Sequence, residues 1–349
     1  MKVYPEAFAD YIERYSRQIM VLGVQNQLKL SKARVAIIGC GATGSSVAEV
    51  LARAGVGFIR IVDMDFTEIS NLHRVHLYTE ADARNSILKA FACRRHLVEI
   101  NSSIEVESIA TAVDSSNIEE LVGDVDLVID GTDNIEIRLL INEACVKLSK
   151  PWIMIGVEGW YGMVKFIDAA KTACLRCFIT STPRRRQNAC NIIGVVNTAV
   201  FITTAIASTL ALKHLLGCDV DEELFIIDSY SLHIKRVKVL KNPRCPVCGL
   251  NIFEHLSKSD ESNIRICGGN SVEIRPQRKV EIMLEKLKKE MFRRENIIIE
   301  DHIAYIHRDG VQMALFRDGR ALIKGITDVE EAKKLYHSIL DELRKYVAD

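Results

Sequence analysis

Arg34-Val35-Ala36-Ile37-Ile38-Gly39-Cys40-Gly41-Ala42-Thr43-Gly44 is an apolar run that ends in three glycines at G-x-G-x-x-G spacing. Such a run reads as a strand buried on both faces of a parallel sheet. The glycines let the chain turn and open a helix whose amides approach phosphate, and small residues through Ala54 continue that helix. Phe58 to Asp63 is the next strand. Asp63 stands at its end, where a carboxylate accepts hydrogen bonds from ribose hydroxyls, while Asp65 reads equally as a capping or loop acid.

The alternation repeats outward. Lys89 to Ile100 is a helical run, Val106 to Ala112 is weakly strand-like, Val125 to Asp130 is a buried strand, and Pro151 to Gly156 is another. Residues 5 to 30 carry Phe8, Ile12, Ile19, Leu22 and Leu28 at helical spacing, so helices precede the first strand. The pattern predicts an α/β fold, a Rossmann-like doubly wound and mostly parallel sheet with ligands at the strand carboxyl ends.

Lys+Arg and Asp+Glu both total 46 in 349 residues, so the overall balance argues against nucleic acid or a membrane surface as partner. The first ten residues lack the apolar core of a signal peptide, which predicts a cytoplasmic protein. Ile192 to Leu212 is long and apolar, but Asn197, Thr198, Thr203, Thr204, Ser208 and Thr209 interrupt it. It reads as a buried helix, with a subunit interface as one place for it, and not as a membrane span.

Three further stretches carry chemistry. Asp63-Met64-Asp65-Phe66-Thr67-Glu68-Ile69-Ser70-Asn71-Leu72-His73-Arg74 delivers an arginine soon after the ribose acid, which suits reactive phosphates better than hydride transfer. Asp130-Gly131-Thr132-Asp133-Asn134 closes a neighbouring strand, and Asp133 there can hold Mg²⁺ against phosphates; a turn satisfying its own backbone is the plain alternative. Four of the ten cysteines form two C-x-x-C pairs, Cys174/Cys177 and Cys245/Cys248. In a reducing compartment these are metal ligands, and four thiolates complete a closed, structural Zn²⁺ site that ties the far end of the sheet to the segment leaving it.

Arg14-Tyr15-Ser16-Arg17-Gln18-Ile19, the Gly39 loop, Asp63 to Arg74, Lys89 ahead of Ile100-Asn101, Asp130 to Asn134 and both cysteine pairs occur in one order. With these, roughly residues 11 to 250 resemble the MoeB/ThiF family, itself similar to the adenylation half of ubiquitin-activating enzymes. The resemblance implies ATP-dependent adenylation of the C-terminal glycine carboxylate of a ubiquitin-like sulfur carrier ending in Gly-Gly, for thiamine, molybdopterin or tRNA thiolation. It implies that Gly39, Gly41, Gly44 and Asp63 hold the nucleotide, that Arg74 and Lys89 bind phosphate oxygens with Asn71 in support, and that Asp133 coordinates Mg²⁺. It implies a homodimer in which Arg17 reaches the partner subunit's ATP. Cys190 matches a cysteine that accepts acyl or sulfur groups in relatives, and Arg184 to Arg186 upstream would favour its thiolate if they fold nearby; a passive thiol is the other reading. The chain departs from the family at His73, where relatives usually carry glutamine, and at Asn101-Ser102, where Asn-Pro is common.

The expected organisation is an adenylation domain over 1–250, a polar linker over 251–268 and a small, autonomous α+β domain over 269–349. That last part reads as β-α-β-β-β-α, with helices over 277–294 and 328–346, and serves as a binding or interface module. The stretch from Phe316 to Ile323 reads as a tight hairpin that docks the carrier or covers a sheet edge. Two other functions stay open on residues alone. An NAD-dependent dehydrogenase accounts for the glycine loop and Asp63 but not for Arg74, Lys89 and Asp133, and a zinc-stabilised scaffold would bind a ubiquitin-like partner without adenylating it.

Overall fold

The computed structural model describes residues 5–179, 193–257, 264–267, 271–276, 280–291, 297–300, 303–308, 310–326 and 328–348. Helices α1 (Pro5–Arg14), α2 (Ser16–Leu22) and α3 (Val24–Leu30) lead into β1 (Arg34–Ile38). There follow α4 (Ala42–Ala54), β2 (Phe58–Val62), α5 (Glu80–Arg84), α6 (Lys89–Ile100), β3 (Glu105–Ile109), α7 (Ile118–Gly123), β4 (Leu127–Asp130), α8 (Ile135–Lys147) and β5 (Trp152–Glu158). Then come β6 (Tyr161–Ile167), α9 (Asn197–Leu215), β7 (Leu224–Asp228) and β8 (His233–Val237).

These strands form one sheet in the order β3-β2-β1-β4-β5-β6-β7-β8. Pairing is parallel from β3 to β5 and antiparallel from β5 to β8. Strand order reverses between β1 and β4, which opens the ligand crevice at their carboxyl ends. Alternate residues of β1 enter opposite cores. Val35 and Ile37 pack with α4, α6 and α9, whereas Ala36 and Ile38 pack with α7, α8 and the cysteine pairs. The helix read between 192 and 212 is α9, which lies against α4, β5 and β6 and is the one described helix long and apolar enough to cross a membrane.

The second sheet is antiparallel: β9 (Ile264–Cys267), β10 (Ser271–Ile274), β12 (Ile297–Glu300), β13 (Ile303–Arg308), β14 (Val311–Phe316) and β15 (Ala321–Lys324) in the order β12-β13-β14-β15-β10-β9. Between and after them lie β11 (Glu281–Ile282), α10 (Leu284–Met291), α11 (Val329–Glu342) and β16 (Val347–Ala348), with β11 paired to β16. Asp328 caps α11 by accepting the Glu331 amide at 2.8 Å, and the helix gives way to a 3₁₀ turn at Arg344, short of the expected 346.

Both faces of this sheet are covered. Ala304, Ile306, Met313, Leu315, Ala321 and Ile323 pack under α10 and α11, while Ile303, Tyr305, Ala314, Phe316 and Leu322 join the core of the first sheet. The autonomous module expected from sequence is therefore a docked one. The linker is also fixed at its start: Phe253 and Leu256 pack on the core beside α8. The buried Glu143 carboxylate accepts the amides of His255 and Leu256 at 2.7 and 3.0 Å.

Candidate active site at the strand carboxyl ends

Gly39 leaves β1 with φ +87°, the left-handed region where a side chain is strained. Its carbonyl oxygen would lie 1.9 Å from a Cβ on Gly44, so backbone meets backbone there. The Gly131 amide donates to Ile38 O at 2.8 Å, which draws the ends of β1 and β4 together. Gly41 caps α4 with open space where its Cβ would be, and no side chain caps the helix. First-turn amides and the positive end of the helix dipole therefore face this crevice.

Asp63, one residue beyond β2, is tied to that loop. Its Oδ2 accepts the Cys40 amide at 2.6 Å and its Oδ1 accepts the Asp65 amide at 2.8 Å. Burial raises its pKa to about 6, against the pull of Lys89 and the two amides. Lys89 opens α6, with Nζ 3.0 Å from Asp65 Oδ2. Burial alone would lower its pKa, but Asp65, Asp63 and Asp133 outweigh burial and raise it, so Lys89 is a permanent cation.

The turn after β4 divides its labour. Asp130 is fully buried and holds Arg138 Nε at 2.5 Å and the Thr132 hydroxyl at 2.6 Å. Asn134 caps α8 by accepting the Glu136 amide at 2.8 Å. Asp133 between them is exposed and close enough to Lys89 to act on its charge. Asp130 and Asn134 thus use the self-satisfied turn chemistry, while the Asp133 side chain is exposed.

A 3₁₀ turn at Ile69–Asn71 carries the arginine. Asn71 Oδ1 accepts the Glu68 amide at 3.2 Å, and Ser70 O accepts Arg74 Nη1 at 2.7 Å. His73 Nδ1 lies 3.1 Å from the same Ser70 oxygen. Asn71 therefore serves the turn directly.

One chain does not bring Arg17 to this cluster. Gln18 donates to Ala54 O at 2.8 Å and the buried Tyr15 hydroxyl takes Asn101 Nδ2 at 2.7 Å, which locks both neighbours to the end of α4. Arg17 stays exposed, 4.0 Å from Met20 Sδ, beside Met20 and Val21 that are 78% and 84% exposed. Asn101 also donates to Ala52 O at 2.7 Å and so belongs to this lock. Cys190 and Arg184 to Arg186 lie outside the described residues.

Cys174, Cys177, Cys245 and Cys248 converge, with all four Sγ atoms within 4.8 Å of one another. Cys174 and Cys245 are 3.6 Å apart and Cys177 and Cys248 3.5 Å. Tetrahedral thiolates about 2.3 Å from a metal stand roughly 3.8 Å from each other, so the donor set fits a cation of that kind. Asn142 Nδ2 at 3.9 Å from Cys174 Sγ and the Asn242 amide at 3.5 Å from Cys177 Sγ orient two of the sulfurs. Sequence reading missed Tyr78, whose buried hydroxyl donates to Cys40 O, and Arg138; neither position carries a local signal.

Fold and site together define a Rossmann-like α/β protein with acids and a lysine gathered at the switch point of a mostly parallel sheet. The ThiF family matches residues 15–247, and the chain belongs to that family. It is 37% identical over 330 residues to the sulfur carrier protein ThiS adenylyltransferase of Bacillus subtilis, covering 93% of this chain and 98% of that protein. It is 33% identical over 250 residues to a sulfur carrier protein adenylyltransferase of Thermus thermophilus, covering 69% and 92%. Among solved structures, E. coli MccB with ATP shares the fold at a TM-score of 0.60 and 23% identity, covering 71% of this chain and 82% of that one.

Proposed function

We propose that the protein adenylates the C-terminal glycine carboxylate of a ubiquitin-like sulfur carrier. The observation that carries this reading is the Asp63, Lys89 and Asp133 cluster beside the uncapped start of α4, in a chain similar to a ThiS adenylyltransferase over nearly its whole length. A carboxylate is already ionised at neutral pH and needs no general base. Its oxygen attacks the α-phosphorus of ATP, the bond to the bridging oxygen breaks, and pyrophosphate leaves. The protein supplies alignment and positive charge.

In this reading Asp63 accepts from the ribose, the glycine loop and α4 amides meet phosphate, and Arg74 and Lys89 neutralise it. Lys89 exchanges its Asp65 partner for phosphate oxygens as ATP arrives. Asp133 would hold Mg²⁺, which would supply further positive charge for the phosphates. The four cysteines hold a structural Zn²⁺, and elemental analysis should find one zinc per chain. The chain works in the cytosol as a homodimer that lends Arg17 to the partner's ATP, in keeping with the exposed apolar surface around Arg17. Mixing inactive Arg17→Ala and Arg74→Ala proteins should then restore activity through hybrid dimers, whereas strictly additive inactivity would remove Arg17 from the site.

Cys190 is the proposed acceptor of acyl or sulfur after adenylation. A Cys190→Ser protein should lose a thiol-cleavable adduct with the carrier, and an adduct that persists would exclude that residue. The central experiment is exchange of labelled pyrophosphate into ATP in the presence of a Gly-Gly carrier. Carrier binding without exchange would sink the enzymatic reading.

A further inference from the structure

We propose that the small sheet positions the nucleotide site, with Lys324 setting the place of Arg74 through Glu68 and Ser70. The inference rests on the reading of Arg74 as a phosphate ligand. Strand alternation on β15 puts Ala321 and Ile323 under the helices of the small domain, so Leu322 and Lys324 face the first sheet. Lys324 Nζ pairs with Glu68 Oε1, with the lysine side chain only 17% exposed. Glu68 Oε2 accepts the Ser70 hydroxyl at 2.9 Å, and Ser70 O accepts Arg74 Nη1 at 2.7 Å. The side chains of Lys324 and Glu68, and Ser70 through both its hydroxyl and its main-chain carbonyl, thus form one relay from β15 to the Arg74 guanidinium.

A second clamp holds the chain that follows β3, next to the Asp63 end of the same segment. Glu273 on β10 is fully buried and accepts the Ala112 amide at 3.0 Å, Arg275 Nε at 3.0 Å and Arg320 Nη1 at 3.3 Å. Arg320 also donates to Ala110 O, and Arg275 Nη2 donates to Thr111 Oγ1 at 3.0 Å. Residues 110–112 continue from β3, whose Ile109 oxygen accepts the Asp63 amide at 3.2 Å. The small sheet therefore grips the chain beside Asp63 and again just before Arg74. Burial would raise the Glu68 pKa, but Lys324 and Ser70 hold it below the ordinary range, so the carboxylate end of the relay stays charged.

A purely adhesive ion pair would lower stability and leave the site unchanged. Positioning makes a different demand, that the effect of Lys324 depend on Arg74. The test titrates ATP calorimetrically into full-length wild type, Lys324→Ala, Lys324→Arg, Arg74→Ala and the Lys324→Ala/Arg74→Ala double variant, with thermal melts of each. Lys324→Ala should weaken ATP about threefold to tenfold, inside the roughly twofold to thirtyfold span that corresponds to the coupling energies of such networks. Lys324→Arg should restore most of that loss. In the Arg74→Ala background, Lys324→Ala should change affinity less than about 1.5-fold, because groups in one network are non-additive. Wild-type affinity for Lys324→Ala, or its full effect persisting without Arg74, would overturn the relay. An Arg74→Ala protein with wild-type affinity and exchange would instead overturn the assignment of Arg74 and the relay with it, so the two failures are distinguishable.

Discussion

The central strands of the first sheet and those of the second are buried on both faces, yet by different means. The first is covered mainly by the helices that connect its own strands, so most of its cover is supplied by the crossovers themselves. The second has its own helices on one face and the first domain on the other, so half its burial depends on chain far away in sequence. One sheet is a foundation and the other is finished only by docking. The polar seam at that docking face is Glu273 with Arg275, Arg320 and Thr111.

The sharpest way to break the contrast is to remove the seam's acid. Glu273→Ala leaves two guanidiniums and the Ala112 amide without their acceptor, and breaking a buried charge network typically costs about 3–5 kcal/mol. Urea unfolding should show that loss, with the small domain's transition moving first. A change below about 1 kcal/mol would mean that apolar packing alone holds the sheets together.

Arg74→Ala should separate activity from architecture. Its side chain bonds within its own turn, so melting should change little, while loss of a preorganised donor lowers the exchange rate by about 10²–10³. Equal losses of stability and rate would place Arg74 in the fold and not in the chemistry.

Much of the first sheet was legible because its covers are local. Val35 to Ile38 and Leu127 to Ile129 are continuous apolar runs that lead into the turns carrying Gly39 and Asp133, and Asp63 at the end of β2 bonds to the first of these turns. Strands β6 to β8 escaped it because they follow the parallel pattern and reverse direction after Gly159. Most of the second sheet's strands were legible, but β9 (Ile264–Cys267) lies in the stretch read as a linker and pairs with β10, and the sheet's docking was passed over. Its signal is in the sequence: Ile303-Ala304-Tyr305-Ile306 and Met313-Ala314-Leu315-Phe316 are unbroken apolar runs, which an antiparallel sheet with one wet face does not need. The relay through Lys324 had no such signal, since Lys324 and Glu68 lie far apart in sequence and meet only through a tertiary contact.

The next contrast is in pH. Folding raises the Asp63 pKa to about 6 through burial, so its contribution to stability is present at acid pH and lost as pH rises through that value. Ribose binding runs the other way, since the ionised carboxylate is the stronger acceptor. ATP affinity should therefore fall as pH drops below about 6, approaching tenfold per unit if only the ionised form binds. Asp63→Asn should abolish this dependence at a lower, flat affinity. A wild-type profile that is already flat between pH 5 and pH 7 would separate Asp63 from the ribose.

The smallest expected effect lies where the two sheets meet. His73 and Arg74 share the Ser70 carbonyl, and Lys324 reaches that turn through Glu68. A glutamine at position 73 keeps a donor within reach of the same oxygen, and an exposed polar exchange of this kind usually changes free energy by no more than about 0.5 kcal/mol. His73→Gln should therefore leave kcat and KM for ATP within about twofold of wild type. A larger change that disappears in the Lys324→Ala background would mean that His73 reads the docking of the second sheet, and that this chain tuned its turn to the presence of that domain.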